Sequence, residues 1–105
     1  MTHPIHAPVV ALVDQAIDLL DAWLRDRLTQ EEFAARLRAL EVVPLMEQYQ
    51  EDFKRDASLV YYLDALMLLS SLQHELEFQV TEYGSNVASE DIKSLRELRA
   101  KFPGT

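Results

Sequence analysis

Apolar residues return at steps of three and four along most of this chain, which is the period of an α-helix and not of a strand. Val9, Val13, Ala16, Ile17, Leu20, Trp23, Leu24 and Leu28 follow it first. Phe33, Ala34, Leu37 and Leu40 repeat it, and Ile92, Leu95, Leu98 and Phe102 close the sequence with it. Two glycines and four prolines in 105 residues are too few breakers to interrupt these stretches. The pattern predicts an all-α fold: an antiparallel four- to five-helix bundle in a single domain over residues 8–103, after a flexible N-terminal arm at residues 1–7.

Local signals divide the bundle. Pro8 suits the first position of a helix, where its missing N–H is not needed, so helix one should run from Pro8 to Arg27. Thr29-Gln30-Glu31-Glu32 is a capping box, with Leu28 and Phe33 spaced as a hydrophobic staple. A second helix therefore begins within two or three residues of the first, which forces a sharp reversal. Pro44 disfavours helix at Val43. It marks either a new helix, with Leu45, Met46, Tyr49 and Phe53 inward, or a kink in one helix. Asp56 or Ser58 caps the next segment, Ala57 to Tyr83, whose apolar residues cover nearly the whole circumference and so mark a central helix. Gly84 is placed as its left-handed stop. Ser85 to Ser89 reads as a loop, and Ser89 as the cap of a last helix with Glu90 and Asp91 in its first turn.

Composition excludes several functions. Without cysteine there is no disulfide, thiolate zinc site or thiol nucleophile. A net charge of -8 disfavours nucleic acid and anionic membrane surfaces, both of which need clustered Lys and Arg. The longest apolar region, Leu59–Leu72, carries Asp64 and is too short to span a bilayer. No secretory leader is evident, and a cytoplasmic location is expected.

Catalytic chemistry finds little support. A dimetal bundle needs Glu-x-x-His, and Ser71 stands where that glutamate would precede His74. His74 with Glu77, or His3 with His6, gives two ligands at most. Ser70 and His74 are one turn apart, but backbone N–H groups inside a helix are already paired and form no oxyanion hole. Two isolated glycines cannot build a phosphate loop. The reading is a protein without catalytic residues, metal or cofactor.

Carboxylates are plentiful and unevenly placed. Asp14, Asp18 and Asp21 share a face of helix one, either simply solvated or an anionic docking strip. No Lys or Arg falls between Glu41 and Asp52, nor between His74 and Asp91. The second of these regions holds Glu75, Glu77, Glu82, Glu90 and Asp91, with Tyr83 as an aromatic anchor. These six residues are the candidate partner-binding site. Adjacent Tyr61 and Tyr62 point to different sides of their helix, so one is buried more than the other.

The layout through Leu19–Phe33 and Ser89–Phe102 resembles the small helical immunity proteins that neutralise colicin-D-type ribonuclease toxins. Leu28-Thr29-Gln30-Glu31-Glu32-Phe33 after a long first helix, and Ser89-Glu90-Asp91-Ile92 opening the last one, carry the likeness. It implies an acidic bundle whose carboxylates occupy the RNA-phosphate site of a toxin in a tight complex. The resulting expectation is an acidic helical protein that masks a basic protein partner, such as a toxin. Two alternatives stand beside it. One is a homo-oligomerising scaffold that uses the apolar surface of the central helix or Leu12, Leu19 and Trp23. The other is a small-molecule-sensing bundle with a cavity lined by Met67, Leu69 and Tyr62.

Overall fold

The computed structural model describes residues 3–83 and 86–102, with side chains described at residues 3–75 and 88–102. It is an all-α bundle, with no strand among the described residues. Its helices are α1 (His6–Leu24), α2 (Gln30–Arg38), α3 (Val42–Gln48), α4 (Gln50–Arg55), α5 (Val60–Tyr83) and α6 (Asn86–Ala100), with a 3-10 turn at Ala57–Leu59 before α5.

The helix ends follow from their residues. Arg27 N–H donates to the Ala22 carbonyl (2.8 Å) and Asp26 N–H to that of Trp23 (3.1 Å), the paired bonds of a Schellman stop. Asp26 takes the left-handed conformation this stop requires, with φ 58°, so α1 closes before Arg27. The capping box forms as its sequence indicates: Glu32 N–H donates to Thr29 Oγ1 (3.1 Å) and Thr29 N–H to Glu32 Oε1 (3.3 Å). Pro44 lies in the first turn of α3, where helical N–H groups lack partners anyway. The chain therefore starts a new helix near Pro44, and it breaks again at Tyr49. Asp56 accepts from Ser58 N–H (3.0 Å) and Ser58 Oγ–H (2.6 Å), and these bonds hold its carboxyl below the usual carboxylate range.

Two expected boundaries move. The first concerns residues 3–7, expected as a flexible arm. Ile5 is fully buried, and α1 begins at His6. Ile5 N–H donates to His3 Nδ1 (3.1 Å), the His3 ring meets Tyr49 edge-on, and His6 Nδ1 shares a 2.7 Å hydrogen bond with the Tyr62 hydroxyl. Burial of one isoleucine, about 2 kcal/mol, gives this segment a reason to dock that helical periodicity did not reveal. The second is the start of α6 at Asn86, which leaves Ser89 inside the helix and puts Glu90 and Asp91 in its second turn. The expected stop at Gly84 lies outside the described residues.

The core joins Val9, Val13, Ala16 and Leu20 of α1 to Phe33 and Leu37 of α2, Val42 of α3, Tyr62, Ala65, Leu66, Leu69 and Leu72 of α5, and Ala88, Ile92 and Leu95 of α6. The Tyr62 ring packs against Phe102 at a tilt, with ring centres 4.6 Å apart, so the start of α5 meets the end of α6 and the two run antiparallel. Arg99 Nε donates to Asp14 Oδ1 (2.8 Å), which sets α6 antiparallel to α1 as well. Between α1 and α2, Trp23 lies flat on Phe33, 4.7 Å centre to centre and 9° from parallel. Trp23 is thus a packing residue, not an outer seam.

Gln73 of α5 is a half-buried polar residue that reaches across to α2. Its Nε2 donates to the carbonyls of Leu37 (2.9 Å) and Leu40 (2.7 Å), closing the C-terminal end of α2. No helix of the described residues is long and apolar enough to cross a membrane.

Candidate functional site

α5 and α6 form a hairpin, because their outer ends meet at Tyr62 and Phe102 and only residues 84–85 separate their inner ends. Everything from Glu75 to Asp91 therefore belongs to the closing half of one hairpin, at one end of the bundle. Glu75 is exposed on α5, and Glu90 is exposed on α6. Asp91 is half-buried beside Glu90. Glu77, Glu82 and Tyr83 belong to the last turns of α5, and their side chains lie outside the described residues. The backbone thus gathers all six candidate residues into one region, with Lys93 as the first basic residue after it.

Asp91 is the unusual member. It stands three residues after Ala88 and four before Leu95, both fully buried, so helical geometry draws it to the edge of the core. Its Oδ2 is buried and has no hydrogen-bond partner. Burial raises its carboxyl above the ordinary aspartate range, and the neighbouring Glu90 charge raises it further. A carboxylate held under these conditions gains from any cation or donor that reaches it.

The other acidic strip is engaged internally. Asp14 pairs with Arg99 of α6, and Asp21 with Arg25 one turn on at 3.1 Å. Asp18, between them, is exposed. The strip on α1 therefore serves partly to fasten α6.

The residues weighed for chemistry are dispersed. His3 and His6 hold the N-terminal segment against Tyr49 and Tyr62. His74 is exposed and Ser70 is half-buried in a groove against α3 and α4. Among the described residues no three His, Asp or Glu side chains converge on a point that could hold a metal ion. Met67 faces solvent while Leu69 and Tyr62 are fully buried, so these three do not line one cavity. The tyrosine pair divides as its spacing implies, with Tyr62 in the core and Tyr61 at the surface beneath the Lys101 ammonium, 5.6 Å from the ring centre.

Sequence reasoning missed three residues that organise this region: Gln73, Arg99 and His6. Gln73 had a readable signal. It continues the stripe Tyr62, Leu66, Leu69 at helical spacing, and a polar residue in such a stripe needs partners. Arg99 and His6 act over long sequence separations that one helix's pattern does not encode.

No family model matches this chain, and neither does any curated protein or solved structure.

Proposed function

We propose that this chain is an acidic helical binding protein that masks a basic site on a partner protein, in the manner of the immunity proteins it resembles. The observation that carries the reading is the charge of the closing half of the α5–α6 hairpin. It contains Glu75, Glu77, Glu82, Glu90 and Asp91 and no Lys or Arg. The half-buried Asp91, with one oxygen unpartnered, adds a carboxylate that a guanidinium or ammonium would relieve. Such a surface steers a cationic partner and fixes its register on docking. A toxin whose own site binds RNA phosphates presents the complementary charge, and covering that site would silence it without any chemistry by this chain.

The test is affinity capture from producing cells with the wild-type chain and the double variant Glu75→Lys/Glu90→Lys, run side by side. Both residues are exposed, so the variant keeps the fold. The expected result is a basic protein retained by the wild type, lost by the variant and released by raised salt. Retention of the same basic protein by both forms would remove the hairpin end as the docking surface.

A further inference from the structure

The large apolar side chains most exposed on the described surface are Val43, Val60, Tyr61 and Met67, at 42%, 47%, 37% and 55% of their area. One of the four, Val43, lines a groove of about 440 Å³ between α3–α4 and α5. Val43, Met46 and Phe53 line it from α3 and α4, and Leu63 and Ser70 from α5. Met67 lies four residues beyond Leu63 and three before Ser70, and Val60 three before Leu63, so both share the α5 face that forms the wall. Glu47, Gln50 and Lys54 also line it from α3 and α4, so an acid and a base stand apart along an otherwise mainly apolar wall.

The direction of its walls follows from two anchors. Gln73 of α5 grips Leu37 and Leu40, just before α3 begins. At the other end, α4 runs through the 3-10 turn at Ala57–Leu59 into the start of α5. α3–α4 and α5 are therefore antiparallel. Glu47 lines the groove toward the Gln73 end and Lys54 toward the start of α5, seven residues or about two helical turns apart.

A mainly apolar surface with an acid and a base set apart along it matches itself under a two-fold rotation. The rotation lays Glu47 of one copy against Lys54 of the other, twice, while Val43, Val60 and Met67 cover one another. A uniformly basic or acidic helix would match only one end of the groove. We infer that the α3–α4/α5 groove is a homodimer interface, occupied by a second copy of this chain in antiparallel orientation. Within one chain Lys54 meets Glu51 in an exposed contact at 3.7 Å, a weak pairing that it can exchange for the glutamate of the second copy. This surface is separate from the acidic end of the hairpin, and neither proposal depends on the other.

Sedimentation velocity over about 1 µM to about 1 mM chain tests it. The wild type is expected to pass from monomer to dimer with rising concentration. Met67→Glu, an exposed position that the fold tolerates, should weaken the dimer at least about tenfold. Glu47→Lys and Lys54→Glu should each weaken it as well. The decisive measurements are the double swap Glu47→Lys/Lys54→Glu, which should recover the dimer, and an equimolar mixture of the two single variants, which should form a heterodimer. Glu90→Lys should leave the dimer unchanged. A wild type that stays monomeric over the whole range overturns the inference, as does a dimer indifferent to both the swap and Met67→Glu.

Discussion

Replacing Asp91 by Asn tests whether the fold holds this carboxylate at a cost in stability. The substitution keeps the shape and removes the charge. In the native chain, Oδ2 is buried without a partner, and burial together with Glu90 raises the carboxyl above its ordinary range. An unsatisfied buried polar group costs about 1–3 kcal/mol. Because the Asp91 side chain is only half-buried, solvent screening places the charge-dependent part at the lower end, about 1 kcal/mol. In a domain of this size that corresponds to a rise of about 4 °C in melting temperature at neutral pH. The sign follows from linkage. A folded-state value above the unfolded one means that folding takes up a proton at this site, so the penalty is full above the folded value and fades as pH falls through it. Thermal melts followed by far-ultraviolet circular dichroism from neutral to acidic pH read both parts. The variant should melt higher at neutral pH, and the gap should close on acidification. A variant that melts at or below the wild type at neutral pH, or a gap that persists in acid, would refute the argument. If Asp91 also meets a basic partner, the same variant binds less while standing more firmly, which separates a functional carboxylate from a structural one.

Two further substitutions probe the frame. Gln73→Leu removes the second donor of the Leu37 and Leu40 carbonyls, which keep the Leu40 and Val42 N–H groups, and should lower the free energy of urea unfolding by about 1 kcal/mol; an unchanged midpoint would show that these bonds contribute nothing. Asp26→Gly relieves the left-handed strain of the α1 stop and should raise stability by about 1 kcal/mol, whereas Asp26→Val should lower it; equal melts for all three forms would exclude strain at this position.

The fold was legible because its determinants are local. The spacing of Val9, Val13, Ala16 and Leu20 set the buried face of α1, and Thr29 with Glu32 set the start of α2; each signal spans at most a few turns of one helix. The misplaced boundaries depend on distant partners. Ile5 has no periodic neighbour before it, and only its place in the shared core makes its burial worthwhile. Ser89 is a good cap in isolation, yet α6 begins three residues earlier. The candidate site was legible as a run of acids without bases, and helix lengths were enough to gather that run at one end of a hairpin. What the run could not show was that Asp91 differs from Glu75 and Glu90. That difference needs the full burial of Ala88 and Leu95 on either side of it.

The division of charge along α6 links packing to the proposed function. Its basic residues, Lys93, Arg96 and Arg99, with Lys101 just beyond it, follow Glu90 and Asp91 and have the acid Glu97 among them, a bias the helix dipole favours. Arg99 uses this arrangement to fasten the basic end to Asp14 of α1. Charge that holds α6 in place is therefore drawn to the end away from the hairpin closure. No Lys or Arg falls in the closing half, from Glu75 to Asp91. On α5 the exposed apolar residues Val60 and Met67 lie in the first half, with Asp64 between them, and three further acids, Glu75, Glu77 and Glu82, in the second. An antiparallel pair formed through the first half would leave the two acidic ends pointing apart. Each copy would then meet its own basic partner without displacing the other, so self-association and masking need not compete for surface.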